Sequence, residues 1–232
     1  MKRTLGACAA GAALLLTGCT ATVSGRAVPA DTDGPLPPPL VTITQLDSLL
    51  PRAVELDGIV DATGMEVKTR ISQMWDDSPN LSDPGCVDVW LPVEAPAYDG
   101  TGWTAMRAQQ VADGTPDTFR HYVAQAVVAF PTADEAQAFF DTATQTWADC
   151  ANRRVQFRKP GKPASSWTHG DLTASGDTLT MPQTREAGDG WSCQRARSVY
   201  SNVIVDAVVC GFDITDQAAT LVAAVTDKMP KA

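Results

Sequence analysis

No segment of this 232-residue chain is apolar for long enough to cross a bilayer. Its most apolar stretch, Leu5 to Leu16, is about a dozen residues long, whereas a spanning helix needs ~20. Histidine is scarce: His121 and His169 sit in unrelated segments, with neither H-x-x-x-H nor H-x-H spacing. There is no C-x-x-C pair, no G-x-S-x-G elbow, no S-x-x-K nucleophile and no phosphate- or dinucleotide-binding glycine loop. The carboxylates of Asp76-Asp77 and of Asp213 with Asp216 read as solvated loops and a helix-capping charge, not as a catalytic pair. Together these absences give no support for an enzyme, a metal site or a cofactor. Positive charge is also in deficit, 18 Lys and Arg against 27 Asp and Glu, which argues against nucleic acid and against a polybasic grip on lipid.

What the N-terminus does contain is an export signal. Lys2 and Arg3 form a positive n-region, Leu5 to Leu16 an h-region, and Leu16-Thr17-Gly18-Cys19 resembles the lipobox of bacterial lipoproteins. Residues 1–18 are therefore expected to be removed, leaving Cys19 to carry a diacylglyceryl thioether on its thiol and a further acyl chain such as palmitate on its amine. More than one chain gives stable anchoring, so the expected location is the extracytoplasmic face of the cell membrane. Losing Lys2 and Arg3 leaves 16 basic residues against 27 acidic ones, a net charge of −11. Residues 19–40 read as a tether, small and polar up to Ala30 and then Pro-rich in Asp31 to Leu40 (DTDGPLPPPL), with an extended polyproline-like bias. Residues 41–232 show no further linker and suit one domain.

Four cysteines remain in that domain: Cys86, Cys150, Cys193 and Cys210. An even number in an oxidising compartment reads as two disulfides, with three pairings open and a four-thiolate zinc site as the rival. The pairing favoured here is Cys86–Cys150 with Cys193–Cys210. A tight turn at Ser201-Asn202 places residues whose numbers sum to 403 opposite each other, which sets Cys193 across from Cys210. Cys150 falls at the end of a buried helix face, from which it can hold the loop that bears Cys86.

Patterning predicts an α+β domain. Two short helical pieces are expected in Thr44 to Ala62, broken at Pro51, then a strand over Met65 to Ile71 and a Pro-rich loop region from Gln73 to Gly102 with one helical turn at Cys86 to Trp90. Trp103 to Val111 and Phe119 to Phe130 read as strands. Thr132-Ala-Asp-Glu135 has capping-box form, and Ala136, Phe139, Phe140, Ala143, Trp147 and Cys150 then recur on one helical face. Strands are expected at Trp167 to Leu172, Thr178 to Pro182, Gly190 to Tyr200 and Asn202 to Phe212, followed by a helix capped by Thr215. The expected architecture is an antiparallel or mixed sheet covered on one face by helices, with the two disulfides inside the domain.

Several stretches carry a likeness to a known family: Leu81-Ser-Asp-Pro-Gly-Cys86, the run from Tyr98 to Gln109, the run from Gln125 to Phe139, Gly190-Trp-Ser-Cys-Gln-Arg195, and Asn202 to Phe212. They resemble the extracellular sensor domain of PknH-type mycobacterial receptor Ser/Thr kinases over roughly residues 41 to 230. The resemblance implies a helix-covered sheet with two intradomain disulfides and a cleft that takes a ligand of unsettled identity. The chain differs from those kinases in showing neither a transmembrane helix nor a kinase domain, so a signal would have to pass through a partner protein.

Tyr98, Trp103, Arg107, Trp167 and Arg195 combine aromatic surface with cationic donors suited to a sugar, phosphate or carboxylate, and are the candidate cleft residues. Trp103 and Arg107, four apart on one strand, would share a face. The competing reading puts the tryptophans in the core and pairs the arginines with the acidic surface. Two functions stand at this point: a lipid-anchored binding protein for a small or envelope-derived ligand, or an envelope protein–protein interaction module without one. A concave pocket gathering Trp103, Arg107 and Arg195 favours the first; a filled core with a flat apolar patch favours the second.

Overall fold

The computed structural model describes residues 36–115 and 118–231, which belong to one unit beginning at Leu36. The export signal, Cys19 and the tether up to residue 35 lie outside the described residues.

Nine strands form one sheet: β1 (Glu66–Ile71), β2 (Ala105–Ala112), β3 (His121–Ala129), β4 (Arg154–Phe157), β5 (Ser165–His169), β6 (Thr173–Ser175), β7 (Thr178–Arg185), β8 (Trp191–Tyr200) and β9 (Val203–Phe212). Their order is β1-β2-β3-β9-β8-β7-β5-β4, with β6 also on β7, and every pairing between them is antiparallel. Among the described residues, five α-helices accompany them: α1 (Ala53–Val60), α2 (Val87–Trp90), α3 (Ala95–Tyr98), α4 (Ala133–Cys150) and α5 (Gln217–Asp227). The α+β class and the antiparallel sheet agree with the sequence reading.

The β8–β9 hairpin has the expected register, with Tyr200 opposite Val203 and Cys193 opposite Cys210. Both disulfides form as anticipated, Cys86–Cys150 and Cys193–Cys210. The hairpin turn is tied down by Asn202, whose side chain accepts from the Val41 amide and donates to the carbonyls of Val41 and Phe130. That one amide joins the start of the domain to the end of β3. Helix α4 buries the same six residues the spacing singled out. At its start the Thr132 hydroxyl accepts from the Glu135 amide and donates to the Glu135 carboxylate, so the first turn is closed from both sides.

Two expectations are corrected. The helices cover both faces of the sheet, not one. In β3, Ala124, Ala126 and Val128 join a core with α2, α3 and α4, while Val123 and Val127 join a second core with α1 and α5. The signal lies in β9, where every residue from Val203 to Gly211 is buried. A strand apolar on both sides needs cover on both sides. The cap of α5 also differs: Asp216 holds the N-cap position, and the Gln217 side chain accepts from the Thr215 and Asp216 amides.

Candidate functional site

The register that pairs the cysteines places Arg197 directly opposite Asp206, with Arg195 one step along the same face. All three are fully buried. Arg195 bonds one Asp206 oxygen at 2.8 Å and Arg197 the other at 2.9 Å. Arg197 also grips Asp88 of α2 in a fork at 2.6 and 2.8 Å, and the Trp147 indole donates to Asp88 at 2.9 Å. Tyr98 donates its hydroxyl to Asp206 at 3.1 Å. Two cations and two anions make the group electroneutral, which is what allows charge at this depth. Burial pushes the Asp206 carboxyl up, but Arg195 and Arg197 together outweigh it and hold the group below the usual carboxylate range. Burial likewise opposes charge on Arg197, yet Asp206 and Asp88 keep it firmly protonated.

This cluster fixes a wall. Arg195 donates to the backbone oxygens of Asp88, Val89 and Leu91, and Gln183 donates to those of Val89 and Trp90. The segment from Asp88 to Leu91, with the Trp90 indole, is thereby clamped over the sheet.

Beside it a cleft of about 770 Å³ opens. Its floor is a transverse row across four strands, Gln183, Cys193, Cys210 and Tyr122, so the Cys193–Cys210 disulfide forms part of the surface. Trp90, Phe157 and Trp167 make one wall, with Trp90 stacked on Phe157 at 4.9 Å between centroids and edge-on to Trp167 at 5.5 Å. Phe119, Tyr122 and Trp191 make the other, with Trp191 5.7 Å from Phe119. Trp75 completes the lining, so four of the six tryptophans face this one space. Lys159 and Arg185 supply cations, and Asp76 and Asp77 carboxylates. The volume is within the range of small-molecule sites, and aromatic walls with a few polar groups are their usual lining.

Two buried titratable groups lie close by. Glu94 has no exposed surface and accepts from the Asp77 amide, tying the Trp75–Asp77 segment to the chain after α2. Burial, reinforced by Asp77 and Asp76, pushes its carboxyl up to about 8. His169 is also fully buried, and burial pushes its imidazole down to about 4. Among the described residues, no group of three or more His, Cys, Asp or Glu side chains is placed to hold a metal ion.

The five residues proposed from the sequence are not brought together. Trp167 lines the cleft. Tyr98 and Arg195 belong to the ionic cluster instead, because β8 and α3 turn them into the core. Arg107 pairs with Asp47 on the α1 side of β2, and Trp103, 37% exposed, precedes that strand rather than sharing its face. Trp191 was within reach of the sequence reading, since the hairpin register puts it on the same face as Cys193. Trp75 and Trp90 sit in a Pro-rich stretch without periodicity and gave no such signal.

Comparison with known proteins shows the family and the fold. A sequence profile described as PknH-like extracellular domain matches residues 41–229. The chain is 38% identical over 196 residues to the serine/threonine-protein kinase PknH of Mycobacterium tuberculosis strain H37Rv, covering 84% of this chain and 31% of the kinase. The Mycobacterium bovis kinase of the same name gives the same identity, with 32% of its length covered. The chain thus spans about a third of the length of these relatives. The crystal structure of the extracellular domain of PknH from Mycobacterium tuberculosis superposes with a TM-score of 0.77 at 38% identity, covering 84% of this chain and 98% of that one.

Proposed function

This chain belongs to the PknH-like extracellular domain family, and on that premise we propose that it is a lipid-tethered extracytoplasmic module that binds a small or envelope-derived ligand in the aromatic cleft. The observation that carries the reading is the concentration of four tryptophans around one cavity whose floor is held by a disulfide and whose wall is held by a neutral buried ionic cluster. Rigid aromatic walls suit a ligand with a flat apolar face, and Lys159 and Arg185 suit an anionic substituent on it. In this reading the domain performs no catalysis and passes its occupancy to a membrane partner. Cys19 is the anchor and residues 20–40 are the spacer.

A smaller groove of about 520 Å³ beside α4, lined by Pro84, Val87, Ala97 and Phe139, favours the second reading, an interaction surface for another envelope protein. Native mass spectrometry of the full chain isolated from membranes separates the two. The cleft reading expects a bound small molecule that is lost in Trp167→Ala and Trp191→Ala, together with acyl mass on the Cys19 peptide. A chain that carries no such molecule, and whose melting temperature no envelope fraction shifts, contradicts it.

A further inference from the structure

The cleft and the point where the tether joins lie at opposite ends of the same strands. Val41 is held by Asn202 in the β8–β9 turn, and the Pro39 carbonyl accepts from Ser201 in the same turn. The cleft floor is at Cys193 and Cys210, seven residues along β9 from Val203. At 3.4 Å per residue that separation is about 25 Å.

The tether end has an unusual surface for an acidic protein. Leu36, Leu40, Ile43 and Trp103 are among its few exposed large apolar side chains, and Thr104, next to Trp103, donates to Ala129 at the same end of the sheet. Four residues on from Trp103 and from Ile43, Arg107 and Asp47 pair at a concavity of about 320 Å³ that Arg52 and Arg70 also line. Arg107 and Arg52 hold exposed ion pairs with Asp47 and Glu55, which water or a phosphate can displace, and Arg70 has no carboxylate partner among the described residues.

We propose that this end is a bilayer-contacting face, with Arg52, Arg70 and Arg107 on the phosphates of anionic phospholipids and Trp103, Leu40 and Ile43 seated at headgroup level. Tryptophan favours that depth, and arginine pairs with lipid phosphate. The charge complementarity is local, in a chain of net charge −9, and the segment that would reach the lipid enters at this end. Docked this way, the domain holds its cleft open to the outside, about 25 Å from the lipid. The inference rests on the lipid-tether reading.

Hydrogen–deuterium exchange of the full chain on phosphatidylglycerol-containing vesicles, compared with pure phosphatidylcholine vesicles, tests it. Slower exchange confined to residues 40–53, 67–71 and 103–107 on the anionic vesicles is expected, with Arg70→Gln and Arg107→Gln each weakening docking about fivefold at unchanged melting temperature. Equal exchange on both vesicles, or the same protection from inorganic phosphate alone, overturns the face. Acyl mass on the Cys19 peptide is read in the same sample, so failure of the tether reading is seen separately from failure of the face.

Discussion

The two faces of the sheet are built from different chemistry. Under α1 and α5 the core is aliphatic: Val111, Val123, Val127, Val205 and Val209 meet Leu221, Val222 and Val225. Under α2, α3 and α4 it holds the stacked aromatics, both disulfides and four buried charges, and it stops short of the far strand ends, where the cleft opens. Stability can come from either kind of packing. A cavity whose wall must stay open without collapsing needs directional bonds, and hydrogen bonds from fixed guanidinium groups supply them.

The largest effect that would break this comparison is expected from Asp206→Ala. It leaves Arg195 and Arg197 buried without their shared carboxylate, and should cost about 3–5 kcal/mol in urea denaturation. Leu221→Ala on the aliphatic face should cost about 3 kcal/mol, by lost transfer energy and a residual cavity, while leaving the emission of the cleft tryptophans unchanged. If both substitutions disturbed the cleft equally, the two faces would not be functionally distinct.

A smaller effect sharpens the contrast through pH. Glu94 has its carboxyl raised to about 8, so the folded state keeps a proton that the unfolded chain has already released. Its contribution is therefore full at low pH and is lost as pH rises towards 8. Between about pH 6 and about pH 8 the wild type should lose ~2 kcal/mol that Glu94→Gln retains, read from denaturation midpoints across that window. His169 acts in the opposite direction: with its imidazole lowered to about 4, its contribution is present above the ordinary histidine range and disappears as pH falls below it. The two effects oppose each other between about pH 4.5 and 6.5, so with respect to these groups the domain should be most stable at weakly acid pH and lose stability as pH rises towards 8.

Much of α4 and of the β8–β9 hairpin was legible in the sequence. Period and capping chemistry located α4 to within a residue, and the parity of the β8–β9 turn placed Cys193 on Cys210. The same parity places Arg197 on Asp206, but arginines on a strand look like solvent-facing residues until the partner carboxylate and the cover of α2 are known. That is why Arg195 read as a ligand contact. The cleft was harder still. Trp75 and Trp90 come from a Pro-rich stretch whose path is set by Glu94, Gln183 and Arg195, all long-range contacts with no local pattern. The one-face expectation failed for a related reason, since helix amphipathicity says that a face is buried without saying on which side of the sheet.

The most direct test of the cleft is tryptophan emission during titration with fractionated envelope extract, comparing wild type with Trp191→Ala. With four of six tryptophans around the cavity, a binding fraction should produce a saturable change in the wild type and shift its midpoint about three- to tenfold in the variant, the loss of one stacked aromatic contact. A saturable change of equal midpoint in both proteins, or a change abolished by Trp103→Ala instead, would place the ligand elsewhere and contradict the account.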